Sequence, residues 1–532
     1  MNSPVYFKSW AGEWEWVVRA LLLFLLVTAL TQFALFGLVS NYMLGFLAAQ
    51  PEDVSFSSNL TYASLIASLP MQIRFMRYFE IRNFLLVMIT LGMGVSIFSF
   101  HVTNIYVFMV ARAVTGFTVA GTGLSALTLI MARLKPQYAP VGYSVFYGAV
   151  LGSGLSSGSL VYLVTNNLDW RDVYLYVLLI QLVSLVVVLV LVRPQTGMRP
   201  YPLYQLDWSS LILCEVSFIA WAYTFIYGPK YYWLTDQRIR ISLTIALCGF
   251  VVLGYRQTVM KRPYLHPGVF RFRNFVPGLL LLGGYYGIKD SLSLIYAYVV
   301  QILHWDTHEL IRLSACNVAG LITGLLLAAQ MILSKKFSSV VFLVTGFSLL
   351  LVFNLWAYFI FSTDLSFGDL VGPVVLQGLG SGLLFVPITI SIVSGLPAVT
   401  GFTGVTIAAF TRFTATCNSF AGFYTLQLWY NQHYKEAFLG HATTLDRLFA
   451  ERLDALGGYF LAAGYSPGQA GALAARNVAG AVGVQTQLLT DMSIFRLFAV
   501  VIFLILVLVV AVPRIYCYLR GRPGFFIFGH TH

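Results

Sequence analysis

Charge is what this 532-residue chain has least of: Asp, Glu, Lys and Arg make up 10% of it, against 58% hydrophobic residues. A water-soluble domain carries about 25% charged residues, so a soluble outer face cannot be built from this composition. A length prior of one domain per ~150 residues does not apply. Period-two alternation is missing from the apolar stretches, which argues against a transmembrane β-barrel. In lipid each backbone polar group must be satisfied within its own segment, so the expected class is an all-α polytopic membrane protein. The five cysteines (214, 248, 316, 417 and 517) show no CxxC spacing and read as free thiols in helices. There is no Gly-x-x-x-x-Gly-Lys-Ser/Thr phosphate loop, which argues against ATP-driven transport by this chain. The eight histidines form no metal-ligand cluster, and His530 and His532 make only a short tail. No cofactor is expected, and no catalytic constellation points to an enzyme. A cleavable signal peptide is not evident: Glu13 and Glu15 precede a long first apolar run, which should stay as a helix.

What the chain has is apolar runs of membrane-crossing length, about twenty residues each. Fourteen are counted, near 17–48, 54–73, 83–100, 104–132, 142–165, 171–192, 208–228, 239–255, 274–303, 310–333, 338–361, 368–394, 399–430 and 491–513. The net charge of +12 lies between them and not on a nucleic-acid face. Basic segments follow even-numbered runs: Arg74, Arg77 and Arg82; Arg133 and Lys135; Arg193 and Arg199; Arg256, Lys261 and Arg262; Lys335 and Lys336; Arg514, Arg520 and Arg522. Glu52, Asp53, Asp306, Glu309, Asp364 and Asp369 follow odd-numbered runs. The positive-inside rule then places both termini in the cytoplasm of a multi-pass inner (plasma) membrane protein. Residues 431–490 are too charged to span. With Leu448, Phe449, Leu453 and Leu456 at helical spacing, they read as an amphipathic, partly helical extracytoplasmic loop, either a solvated lid or a docking surface for an accessory protein.

Run four carries Arg112-Ala-Val-Thr-Gly116, then Gly121 and Gly123. Run five carries Gly148, Gly152, Gly154 and Gly158. Trp170-Arg171 opens run six, and Arg262-Pro-Tyr-Leu-His266-Pro267 follows run eight. Gly378-Leu-Gly-Ser-Gly382 lies in run twelve and Arg412 in run thirteen. Together these motifs resemble, over essentially the whole chain, the major facilitator superfamily and within it the fourteen-helix drug:proton antiporters of the EmrB/QacA type. The chain departs from that pattern in three places. The first helix has no Asp-x-Thr, the loop after run two has no Gly-x-x-x-Asp-Arg-x-Gly, and Ser153 stands where the run-five motif has Pro. The resemblance implies an N-terminal six-helix bundle over 1–193, two inserted transmembrane helices over 194–262, and a C-terminal six-helix bundle over 263–532. It also leaves open a periplasmic adaptor and an outer-membrane channel as partners.

An ionisable group inside a bilayer costs roughly 2.5–3.5 kcal/mol even on insertion scales, so each is a functional candidate. Asp290, beside Lys289 in run nine, is the expected proton-coupling carboxylate, with Glu215 of run seven as a second choice. The competing reading of Lys289 and Asp290 is an ion pair that fixes packing. Arg112 and Arg412 are candidate cavity cations, Arg112 alternatively being satisfied by backbone carbonyls. Thr31, Gln32, Asn317 and Gln377 are candidate ligand contacts, or else hydrogen bonds between helices. Gly116, Gly148, Gly152, Gly154 and Gly158 would permit helices to approach and rock. The expected function is proton-driven export of small hydrophobic or amphipathic compounds, cations included, by alternating access. A uniporter or importer of a natural metabolite is the alternative, and a non-transporting membrane receptor a remoter one.

Overall fold

The computed structural model describes residues 6–35, 43–135, 138–165, 168–194, 206–334, 338–393, 396–443 and 446–519. The basic residues Arg199, Lys335, Lys336, Arg520 and Arg522 and the two tail histidines lie outside them. The chain is a bundle of helices, and among the described residues the one extended pairing is an isolated bridge between Phe7 and Val192.

In the first half the helices are α1 (Glu15–Ala34), α2 (Pro51–Phe79), α3 (Ile81–His101), α4 (Ile105–Arg133), α5 (Ala139–Thr165) and α6 (Val173–Leu191). Then come α7 (Trp208–Tyr227) and α8 (Gln237–Val259). The second half holds α9 (Phe275–Lys289), α10 (Leu292–Gln301), α11 (Thr307–Leu333), α12 (Ser339–Ile360), α13 (Phe367–Val393), α14 (Ala398–His441), α15 (Arg447–Ala462) and α16 (Pro467–Leu519). Eleven helices of the described residues are long and apolar enough to cross a membrane. The other three runs named above correspond to α2, to α9 with α10, and to α14.

Helix starts follow the local chemistry. Asn104 caps α4 by accepting from the Tyr106 N–H at 2.8 Å, and Asp306 caps α11 by accepting from the Glu309 N–H at 3.0 Å. Gln50 and Asp53 form a capping box around Pro51 at the first position of α2. Run nine is interrupted: α9 ends at Lys289 and α10 begins at Leu292, so Asp290 and Ser291 sit at a break between them.

Two glycine contacts recur in corresponding places of the two halves. A Cβ on Gly116 of α4 would fall on the carbonyl oxygen of Thr61 in α2, and a Cβ on Gly378 of α13 would fall on that of Asn317 in α11. Only a residue without a side chain lets these backbones meet. Gly152 and Gly154 of α5 face open space, and Gly148 would just touch Leu325.

The buried apolar residues form two clusters. One is built mainly from α1 to α8 and includes Phe413 and Cys417 of α14; the other is built mainly from α9 to α16 and includes Tyr147 of α5. The inserted pair α7 and α8 is held together by an Asp207–Arg256 ion pair of 2.8 Å and by Thr224 and Ser242 hydroxyls 2.7 Å apart. Burial alone would push the Asp207 carboxyl up, but hydrogen bonds from Arg256 and Ser210 outweigh it and hold the group below the usual carboxylate range. α7 packs on α2 through Phe56 against Tyr223, and on α14 through Phe218 against Phe410 at 4.7 Å and Phe413 at 5.4 Å. It therefore touches helices of both halves. The connector after α8 is pinned to α2: Tyr264 donates to the Ala67 carbonyl and Arg74 to the Pro263 carbonyl.

Residues 431–490 are more helical than the amphipathic-loop expectation. α14 continues without a break to His441, α16 starts at Pro467 and runs into the last apolar stretch, and α15 packs against α16, which in turn packs on α14. Asp446 caps α15 by accepting from the Leu448 N–H at 3.0 Å.

Candidate functional site

A cavity of about 190 Å³ lies where the two halves meet. α1 contributes Leu30 and Phe33, α2 contributes Tyr62 and Leu65, and α4 and α5 contribute Leu124 and Phe146. From the other half come Leu282 and Tyr286 of α9, Phe385 of α13 and Arg412 of α14. The wall is almost wholly aliphatic and aromatic, as expected of a site for apolar ligands.

Arg412 is the charged exception. Its guanidinium lies over two tyrosine rings, 5.6 Å from the centre of Tyr62 and 5.0 Å from that of Tyr286. Such cation–π contacts compensate part of the cost of removing the cation from water. Beside this group, Tyr147 of α5 and Tyr285 of α9 share a hydrogen bond of 2.6 Å across the halves, and Phe385 stacks on Tyr147 at 3.5 Å.

Asp290 stands one helical turn beyond Tyr286, at the break between α9 and α10. Its carboxylate is 3.5 Å from the Lys289 ammonium, which itself lies 5.7 Å from the Tyr286 ring. The break is braced from α13 and α11: Gln377 donates to the Lys289 carbonyl at 3.2 Å and accepts from Asn317 at 2.7 Å, while Asn317 also donates to the Val374 carbonyl. Interrupted helices expose backbone groups and place a polar side chain at membrane depth, the arrangement that transporters use for ions and substrates.

The other candidates are placed apart from the cavity wall. Arg112 is buried (3% exposed), with its guanidinium 3.5 Å from the Gln32 backbone carbonyl. Thr31 bonds Ser156 at 3.2 Å, joining α1 to α5. The Gln32 side chain faces Gly92 of α3. Glu215 is half-buried on α7, in the layer outside the cavity. The structure therefore brings Arg412, Lys289, Asp290, Asn317 and Gln377 into one neighbourhood and leaves Arg112, Thr31, Gln32 and Glu215 outside it.

Sequence reasoning missed four tyrosines: 62, 147, 285 and 286. The spacing of Tyr286 and Asp290, four residues apart on one helix face, was a usable signal. The pairing of Tyr62 with Arg412 was not, since it joins residues of opposite halves. Asp491 was also missed; it is 1% exposed at the outer end of the last apolar run and receives the Gln487 amide at 3.0 Å.

Comparison with known proteins gives this architecture a family. The profile of the Major Facilitator Superfamily matches residues 21–423, more than half of the chain. The MFS-type transporter EfpA of Mycobacterium tuberculosis is 26% identical over 293 residues, 54% of this chain and 53% of its own length. The colistin resistance protein EmrB of Acinetobacter baumannii is 25% identical over 179 residues, 32% of this chain and 33% of that one. The chain thus matches about half the length of the first of these relatives and less of the second. Among solved structures, a peptide transporter POT variant bound to alafosfalin superposes with a TM-score of 0.57, covering 97% of this chain and 96% of that one at 13% identity, a likeness of fold alone. With helices in two matching halves around a shared cavity, this chain belongs to the major facilitator superfamily.

Proposed function

We propose that the protein is a secondary transporter that exports small hydrophobic or amphipathic molecules in exchange for protons by alternating access. The observation that carries this reading is the apolar cavity walled by both halves, with a Lys289–Asp290 pair at a helix break one turn from its Tyr286. Rocking of residues 1–193 against 263–532 would open the cavity to either side of the inner membrane in turn, with both termini in the cytoplasm. Asp290 is the proton carrier, and Lys289 is the cation that keeps its carboxylate tolerable between protonation events. Gln377 and Asn317 position the break. Glu215, outside the cavity, has a structural part, as does Arg112. The relative named for colistin resistance is consistent with export, and an adaptor docked on residues 431–490 would suit it.

The test is dye movement in inverted vesicles from an efflux-deficient host, with and without an uncoupler. Uptake should collapse on uncoupling and fall to background in Asp290→Asn, with the protein still folded. Unchanged uptake in that variant would sink the coupling assignment. Absence of dye movement in correctly inserted protein would favour the alternative, a transporter of one natural metabolite.

A further inference from the structure

The cavity contains a fixed positive charge. Among the described residues that line it, Arg412 is the one charged residue and none is a carboxylate. Its Nε is buried without a hydrogen-bond partner, and so are the hydroxyls of Tyr62 and Tyr286. The two tyrosines are 9% and 3% exposed. Three donors without acceptors, one of them cationic, therefore belong to residues in direct contact in the wall of an otherwise apolar chamber. A buried donor left without an acceptor is costly, and more so when it is charged. Near the end of α9, one turn from Tyr286, the Lys289 ammonium is paired with Asp290 at 3.5 Å.

We propose that the transported molecule is an amphipathic organic anion. This rests on the reading of the cavity as the substrate site. The acid group, a carboxylate or a similar oxyanion, sits against Arg412 and accepts from the Tyr62 and Tyr286 hydroxyls. Its apolar body lies along Leu65, Leu124 and Phe146. A guanidinium fits such oxygens by geometry as well as by charge. A cationic substrate would meet Arg412 in a low-dielectric space with no compensating acid, so the cations allowed by the sequence are disfavoured. A neutral substrate would leave the charge of the guanidinium uncompensated.

The experiment is a fluorescence titration of the whole protein in nanodiscs with three dansylated undecyl probes, differing only in an end group: carboxylate, methyl ester or trimethylammonium. The carboxylate probe should bind at least about tenfold more tightly than the ester. Arg412→Gln should abolish the preference, bringing the carboxylate probe to about the ester's affinity for the same variant. Arg412→Lys should retain part of the preference, because a point charge remains. Equal binding of acid and ester, tighter binding of the trimethylammonium probe, a preference that survives Arg412→Gln, or binding of no probe overturns the proposal. If Arg412→Gln does not fold, the native comparison of the three end groups still decides. Proton coupling is not read here. A failed Asp290→Asn efflux test with an intact acid preference removes the antiport reading alone, and the converse result removes the anion alone.

Discussion

Asp207 carries two tasks at the start of α7, where its carboxylate accepts from the Ser210 N–H and pairs with Arg256 of α8. Its side chain is 3% exposed, whereas that of Arg256 is 36% exposed. Asp207→Asn keeps a good helix cap and removes the charge. The expected loss at neutral pH is about 1–2 kcal/mol, after allowing for the solvent around Arg256. Because the folded carboxyl is held below its ordinary value, this stabilisation is present above the unfolded carboxylate value of about 3.9 and is lost as pH falls below it. Thermal unfolding in detergent should separate native protein from Asp207→Asn at neutral pH and merge them in strong acid; a difference that persists in acid would refute the charge argument. At this scale the sequence was legible for the type of residue and not for its partner. Asp290 with Lys289 could be read because they are neighbours in the chain. Tyr62 with Arg412, and Asp207 with Arg256, could not, because each pair forms only when distant helices pack.

Helices were the most legible level, since runs of apolar residues are a direct record of what meets lipid. The break of run nine was not legible, because Lys289-Asp290-Ser291 contains neither Pro nor Gly to announce it. Glycine roles were half legible. Gly116 sits against the Thr61 carbonyl, while Gly152 faces open space. Gly116→Ala should therefore destabilise the α2–α4 contact by about 1–3 kcal/mol through overpacking. Gly152→Ala should be neutral or stabilising by up to about 1 kcal/mol, since Ala is the better helix former. Circular dichroism melts in detergent check both, and equal effects at the two sites would contradict the packing described here. Residues 431–490 departed from expectation for a simple reason: their charges mark exposure to water, and exposure does not prevent a long helix from continuing.

Across the whole molecule, the two halves meet at contacts that a transport cycle has to break and remake. Cys417 of α14 lies with its sulfur 3.2 Å from the Asn59 side-chain oxygen of α2. Asn59→Cys should therefore allow a disulfide with Cys417 under oxidation, given how close the two side chains already are. Transport in vesicles should stop when the bond forms and return with reductant. Continued transport by fully crosslinked protein would show that this seam does not move. α14 itself has 44 residues, about 66 Å at 1.5 Å per residue, roughly twice the hydrocarbon thickness of a bilayer. It runs unbroken from the Arg412 cavity to His441 outside it. A rigid rod of that length acts as a lever: tilting it by about 10° near its middle would carry its outer end roughly 6 Å. Whatever closes around the cavity is thereby written, enlarged, on the far surface of the protein, at the tip of α14.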